Sequence, residues 1–509
     1  MHLNGNSSLS YMADCGVAAV VYKRSAQGND FRAYRALQLL LEGVQHRGPL
    51  GCGVCTDDDS GKLNQHKDLG LVLQVLDRMP LMGPRGIGMV RYGTTGLASE
   101  GSNTVANRME ARSRLLDEQQ PFHHRDRNRY LEFSFSFNGQ LTNYRLLRSK
   151  FEKYLRFRTG TDTEVLEVVI AEELKKNCDS KPNLASVFSE VVKKIEGCYN
   201  IVFIDGAGRI AALRDPHEFR PFVYADTDHL FAAASETGAL ENLLDINGHN
   251  VEFIKPGELL VYENELQKYK IANPEPHICL FEMIYFMNVV NRLPNNSSAF
   301  NIRRKMGEEM AFIEPLRSAR DFKEYVVVAV PDTARTMAHS FAKTLGLEFD
   351  GDGIIKDPFA GRAFLMDPSV RQQRLDIKYK VIPGVVNGKK VIVFDDSVVR
   401  GDASLEIVRR LLGAGAREVH FRVSYPPIKH PCFYGIDFPV QEKLLAYRMG
   451  CDRGIAELES NVAEGIKANS FKYPSLEMLL RVAAKEMERK TTEYCHACIS
   501  GQYPVEIKL

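Results

Sequence analysis

Three apolar, largely β-branched runs, YVVVAV (325–330), KVIVF (390–394) and VHFRVS (419–424), alternate with helix-period segments at 336–345 and 405–412. Strands that are apolar on both faces must be covered on both faces. Alternation with helices therefore predicts a parallel sheet with crossover helices. Gly413 and Gly415 are placed to end the second helix. Ligands of such sheets sit beyond the carboxyl ends of the strands, and VIVFDDSVVRGDAS (391–404) falls there. It carries paired carboxylates, Asp395 and Asp396, then an Arg-Gly turn, then an apolar helix pattern.

The 509 residues are too many for a single core, so at least two domains are expected. A polar stretch with Pro274 and Pro276 predicts a boundary near 264–277. Before it the grammar differs. GVAAVVYKR, RGIGMVRYG, YLEFSFSFNG, YNIVFID and RIAALR read as short strands, and 162–176 reads as a helix with Val165, Leu166, Val169 and Ile170 inward. This half is expected to be a layered α+β sandwich. A net charge of +1 without basic clusters excludes a nucleic-acid or membrane surface as the main partner. No apolar run approaches the roughly 20 residues of a bilayer span, and the first 14 residues lack a secretion signal, so the cytoplasm is the expected location.

Four short constellations mark the first half: Cys15-Gly16-Val17, QHRG (45–48), VRYGTTG (90–96) and FNGQLTN (137–143), the last followed by TDTE (161–164). Each alone is commonplace. Their joint order resembles the glutaminase domain of the N-terminal-nucleophile amidotransferases. From Cys15 to about Ile507 the chain resembles the glutamine phosphoribosylpyrophosphate amidotransferase family. The resemblance implies an N-terminal-nucleophile glutaminase sandwich followed by an α/β type I phosphoribosyltransferase-like domain. The corresponding divisions are a leader at 1–14, a glutaminase domain at 15–263, a transferase-like domain at 275–480 and a C-terminal segment at 481–509.

In that family a short leader is removed and the new N-terminal cysteine uses its own α-amino group as base. An α-amino pKa near ~8 matches a thiol at ~8.5, so the proton transfer costs little at neutral pH. The resemblance makes Cys15 the nucleophile, with cleavage between Asp14 and Cys15. Asn138 and Gly139 become oxyanion donors. Arg91 becomes the fork for the glutamine α-carboxylate and Asp162 the partner of its α-amino group. Arg47, Gly48 and Thr94 match the supporting positions. Two departures, Phe137 where the family usually has histidine and Pro49 where it has glutamine, do not touch the chemistry.

Of the ten cysteines, Cys52, Cys55, Cys178, Cys198 and Cys451 read as packing residues. Cys279, Cys432, Cys495 and Cys498 form a CxxC with two remote partners, a pattern that fits zinc or an iron–sulfur cluster. The four match the branch of the family that holds a structural [4Fe–4S] cluster, which favours the cluster over Zn²⁺.

For the second half the resemblance implies Mg²⁺ and phosphoribosylpyrophosphate, with ammonia arriving through an internal channel. Asp395 and Asp396 match the acidic pair, and Thr333 stands where a serine usually completes the metal site. Hard oxygen ligands suit Mg²⁺. Arg362, Arg371, Arg374 and Lys378 resemble the cations that close over pyrophosphate, and Ser397, Arg400, Gly401 and Asp402 form the phosphate loop. A homo-oligomer is also implied.

That loop departs from the pattern: the family reads DDSIVRGTT and this chain DDSVVRGDA. A carboxylate and a methyl replace two hydroxyl donors. Asp402 is expected to act as the helix N-cap, filling the anion site from within. Two unit charges about 4 Å apart repel by about 4 kcal/mol at an effective dielectric of 20. MNVVNRLPNNSS (287–298) and Asp357-Pro358-Phe359-Ala360 also differ from the family's usual Arg-Pro-Asp-Ser and Asn-Arg-Tyr-Val. Three functions stay open: the family reaction with a tolerant loop, an amidotransferase with another acceptor, and a non-catalytic regulatory paralogue.

Overall fold

A computed structural model describes residues 15–23, 30–58, 60–77, 79–92, 112–176, 181–246, 248–357 and 379–508. The leader, Thr94, Cys178, Arg362, Arg371, Arg374 and Lys378 lie outside them. The chain forms two compact units. One comprises Met1–Ile278 with Phe433–Asp437 and Val505–Leu509; the other comprises Cys279–Cys432 and Phe438–Pro504.

Among the described residues the first unit stacks two antiparallel sheets, of seven and six strands. Gly16–Tyr22 lies between Leu230–Ala234 and Arg85–Arg91 in the first sheet. Phe133–Leu141 pairs with Gly197–Asp205 in the second. Period-2 alternation assigns the faces. Ala18 and Val20 pack under the helix Arg32–Gly43, whereas Cys15, Val17, Ala19 and Val21 enter a layer shared with Val202, Ile204 and Leu260 of the other sheet. Phe133, Phe135 and Phe137 turn the opposite way, onto the helices Asp162–Lys176 and Leu184–Lys194. The result is a four-layer helix–sheet–sheet–helix sandwich.

Several strands escape the sequence pattern, among them Gly51–Asp57, Leu63–Leu69, Leu230–Ala234 and Leu266–Lys270. Leu230–Ala234 (LFAAA) has weak β propensity, but its buried alanines pair with Ala18 and Ala19 of the neighbouring strand. The polar stretch after Glu263 is not all linker: Leu266–Lys270 is the edge strand of the six-stranded sheet. The chain also returns to this unit late. The Tyr434 ring stacks on Phe219 at 4.5 Å, and its hydroxyl donates to the Val505 carbonyl at 2.7 Å.

The second unit is built on a five-stranded parallel sheet, in the order Glu348–Asp350, Tyr325–Ala329, Lys390–Asp395, Glu418–Val423, Ser470–Lys472. The helices Arg335–Leu345 and Asp402–Gly413 make crossovers. Strand order reverses between Tyr325–Ala329 and Lys390–Asp395, so the loops after these two strands flank the switch point where such sheets bind ligands. Those loops carry Thr333 and the Asp395-Asp396 pair.

One ion pair ties this sheet to the segment before it. Arg422 and Glu314 are both fully buried and meet through two bonds, Nε to Oε2 at 2.6 Å and Nη2 to Oε1 at 2.8 Å. Removing one member strands the other charge in the core. Glu314→Ala is expected to destabilise the second unit by about 3–5 kcal/mol, read as a lowered calorimetric transition, and Glu314→Gln less.

Candidate active site

Cys15 stands at the entry of the first strand, 2% exposed, in the layer between the sheets. Its main-chain N–H donates to Asn138 Oδ1 at 3.2 Å. Asn138 follows Phe137 on a pleated strand, so it faces Cys15 while Phe137 faces the helices. Gln120 holds that register by accepting the Phe137 N–H at 2.6 Å. With its oxygen engaged, Asn138 has Nδ2 fully buried and without a hydrogen-bond partner among the described residues. At Gly139 an added Cβ would lie 1.9 Å from the Cys198 carbonyl oxygen, so only glycine lets the strands approach there. At Gly48 a Cβ would lie 2.4 Å from the Val90 carbonyl carbon, beside Arg91.

Arg47 is fully buried, donating from Nε to the Cys15 carbonyl at 3.1 Å and from Nη1 to Glu236 Oε1 at 2.5 Å. Burial opposes ionisation of Glu236, but the charges and hydrogen bonds of His46 and Arg47 outweigh it and hold its pKa down at about 2. Glu236 was not legible as a site residue. Its only signal is a carboxylate two residues after the apolar strand LFAAA.

Arg91 and Asp162 face the same thiol. The cysteine pKa is pushed up to about 11 by burial, with Tyr92, Arg91 and Arg47 pulling it down and Asp162 pushing it up. Asp162 begins its helix and accepts the Leu141 N–H at 3.0 Å, leaving Oδ1 buried without a partner among the described residues. Burial raises its pKa to about 6 against the pull of the Leu141 and Thr163 N–H groups and Arg91. Arg91 is not an open fork. Nη2 meets Glu118 Oε2 at 2.7 Å and Nη1 donates to the Leu115 carbonyl at 3.2 Å, while Nε has no partner among the described residues.

In the second unit Asp395 and Asp396 are buried at the end of their strand. The Asp396 N–H donates to Asp395 Oδ1 at 2.9 Å, and the Ser397 hydroxyl donates to Asp396 Oδ1 at 2.7 Å. Tyr379 shares this space. Burial, then Asp395, Tyr285, Asp396 and Asp332, push its hydroxyl far above the usual range. Asp402 differs from expectation. Gly401 is the N-cap, at a left-handed φ of 91° that suits glycine, and makes no side-chain cap bond. Asp402 is therefore the first helical residue and is exposed, so its charge still lies at the helix N-terminus. The loop is anchored from outside: Leu445 N–H donates to Val399 O, and Arg448 Nη2 donates to the Arg400 carbonyl at 2.7 Å.

The four candidate cluster cysteines share one neighbourhood of the second unit. Cys495 and Cys498 are buried, Cys279 and Cys432 partly so, and none is in a disulfide. Burial raises the Cys279 thiol far above its usual range, and Cys495, Glu282, Cys432 and Cys498 add to the rise. Cys498 Sγ lies 3.2 Å from the Tyr425 hydroxyl. Among the described residues no set of three His, Cys, Asp or Glu side chains is arranged to hold a metal ion.

A glutamine amidotransferase domain model matches residues 107–242. A chloroplastic amidophosphoribosyltransferase of Arabidopsis thaliana is 33% identical, across 97% of this chain and 80% of the plant protein. The chain belongs to the amidophosphoribosyltransferase family. The amidophosphoribosyltransferase of Pyrococcus horikoshii is also 33% identical, over 91% of this chain and 92% of its own. The solved structure of glutamine phosphoribosylpyrophosphate amidotransferase from B. subtilis, complexed with ADP and GMP, superposes with a TM-score of 0.78 at 28% identity, covering 97% of this chain and 98% of that one. The family carries an N-terminal-nucleophile glutaminase domain and a type I phosphoribosyltransferase domain, the two folds found here. Amidophosphoribosyltransferases are glutamine amidotransferases and phosphoribosyltransferases.

The Glu236 pair gives a direct pH test. A carboxylate with a depressed folded-state pKa contributes stability that is fully present above its ordinary pKa of 4.5 and is lost as pH falls toward 2. Glu236→Gln should be less stable at neutral pH and should show a shallower loss of stability between these values, followed by chemical denaturation across a pH series.

Proposed function

We propose that this chain hydrolyses glutamine at Cys15 and uses the ammonia to displace pyrophosphate from phosphoribosylpyrophosphate, giving phosphoribosylamine for purine synthesis. One observation supports the glutaminase half most directly. Around Cys15 stand three buried polar atoms without partners among the described residues: the donors Asn138 Nδ2 and Arg91 Nε and the acceptor Asp162 Oδ1. Buried polar groups are normally satisfied, and an amino acid with a side-chain amide supplies a match for each. The α-carboxylate goes to Arg91, the α-ammonium to Asp162 and the amide oxygen to Asn138.

Burial keeps the Cys15 thiol protonated, so it needs a base at hand. Removal of residues 1–14 would free its α-amino group, which the Asn138 oxygen keeps beside the sulfur. The amine takes the thiol proton as sulfur adds to the amide carbon. Asn138 Nδ2 and the Gly139 N–H hold the oxyanion, the proton leaves with ammonia, and water hydrolyses the thioester to glutamate. Arg47 anchors the cysteine through its carbonyl, with Gly48 and Thr94 as support.

Asp395 and Asp396, with Thr333, would hold Mg²⁺, which neutralises charge on the departing pyrophosphate when bound. The Ser397 hydroxyl is bonded to Asp396 and Tyr379 feels the charge of both aspartates, and Arg362, Arg371 and Lys378 would complete the pyrophosphate side. The thiols of Cys279, Cys432, Cys495 and Cys498 are soft donors suited to a [4Fe–4S] cluster, with Zn²⁺ as the alternative, in a structural role.

A second reading concerns the acceptor alone and rests on Asp402 and Ala403. Ser397, Arg400 and Gly401 retain the loop, but a carboxylate at the helix start opposes a ribose 5-phosphate. An acceptor without that phosphate would avoid the clash.

The deciding assay measures glutamate release from glutamine, with and without phosphoribosylpyrophosphate, and pyrophosphate release with free ammonia. Stimulated glutamate release together with pyrophosphate supports the family reaction. Glutamine hydrolysis without pyrophosphate supports the second reading, and neither activity in processed protein overturns both. Cys15→Ala should lose the glutamine-dependent rate and keep the ammonia-dependent one. The kcat/KM for glutamine should fall below pH about 6, where Asp162 protonates and loses its charge for the α-ammonium. The Asp402→Thr, Ala403→Thr double variant should lower KM for phosphoribosylpyrophosphate about 10-fold; no change would refute the electrostatic account of the loop.

A further inference from the structure

We propose that Glu118 is a positioning residue that sets the affinity of the glutaminase site for glutamine, by standing on Arg91 as an internal carboxylate that the substrate's own carboxylate must displace or share. The proposal rests on the reading of Arg91 given above.

The two fully buried arginines beside Cys15 are paired in different ways. The partner of Arg47, Glu236, is itself 1% exposed and is gripped a second time by His46 at 3.0 Å, so that pair is permanent. The partner of Arg91 is otherwise. Glu118 is 23% exposed at its side chain, and Arg91 is its sole ion-pair partner among the described residues. A carboxylate open to water on one side can turn away and be resolvated at little cost, which a sealed one cannot.

The geometry shows where competition arises. Guanidinium offers five N–H donors around a planar fork. On Arg91 the Leu115 carbonyl takes Nη1 and Glu118 takes Nη2, leaving Nε without a partner among the described residues. A bidentate grip on the Nε–Nη2 edge therefore needs the nitrogen that Glu118 already holds. Leu115 and Glu118 lie three residues apart, so one short segment supplies both contacts. With no substrate present, Glu118 neutralises a buried cation. When glutamine binds, two carboxylates contend for one guanidinium, and part of the binding free energy is spent on moving Glu118 aside. Glutamine affinity is then set below what Arg91 alone would give.

The test uses the processed full-length enzyme and its glutaminase rate. Glu118→Gln keeps a side-chain oxygen for Arg91 and removes the charge. It should lower KM for glutamine roughly 3- to 10-fold with kcat unchanged. With 4-aminobutanamide, which has the amide and the amine but no α-carboxylate, the wild type and Glu118→Gln should give the same KM. Glu118→Asp, which restores the charge, should return KM for glutamine toward the wild-type value. The proposal is overturned if Glu118→Gln leaves KM unchanged or raises it, or if KM for 4-aminobutanamide shifts as much as KM for glutamine, since a purely structural role would move both alike. Arg91→Ala separates the two levels. If it raises KM for glutamine while Glu118→Gln has no effect, the glutaminase reading stands and this inference falls. If the wild type does not hydrolyse glutamine, both fall together.

Discussion

The buried guanidinium of Arg47 is the joint on which the first half of this protein depends. It cannot be left unpaired in a dry interior, and it satisfies itself in two directions, onto Glu236 and onto the carbonyl of Cys15. The second contact places the cysteine. The Cys15 N–H is then spent on the Asn138 oxygen, and the Asn138 nitrogen is left without a hydrogen-bond partner among the described residues. A chain of hydrogen bonds therefore runs from one ion pair to the backbone of Cys15 and on to the Asn138 amide. The close approaches at Gly48 and Gly139 are part of the same construction, because a side chain at either would push apart the strands that carry Arg91 and Asn138.

The second unit follows a different logic. Its parallel sheet supplies a switch point, and the loops there present carboxylates to whatever binds. The same backbone design that presents N–H groups at the start of the helix Asp402–Gly413 ordinarily welcomes an anion. Here the first residue of that helix is itself an anion. Gly401 keeps its left-handed turn, and Leu445 and Arg448 hold the loop from outside, so a carboxylate stands at the helix start on a loop that is fixed in place.

Much of this was open to reading from residues alone. The helix Asp162–Lys176 follows from its period, the strands around Gly16–Tyr22 and Phe133–Leu141 from β-branched and aromatic content, and the alternation of apolar runs with helices in the second unit announces a parallel sheet. Cys15, Asn138 and Asp162 could be singled out because their order along the chain matches a known family. Other features were hidden for physical reasons. The strand Leu230–Ala234 is set by its pairing between two other strands, not by propensity. Leu266–Lys270 is an edge strand whose polar side chains resemble a linker. Glu236 and Glu118 look like ordinary surface acids until tertiary structure places an arginine against each. Asp402 is a good capping residue by type, but the left-handed turn at Gly401 moves the cap back by one position.

What the sequence determined by itself is therefore the class of each half and the residue types available to it: a cysteine at the entry of a strand, paired aspartates at a strand end, a CxxC with two remote cysteines, and an aspartate directly after an Arg-Gly turn. These are local properties, carried by residue type, spacing and period. Only the tertiary structure decided which charges are already spoken for. Pairing depends on burial, and burial depends on residues far apart in the chain: Arg47 is committed to Glu236, while Arg91 is held by a carboxylate that water can still reach.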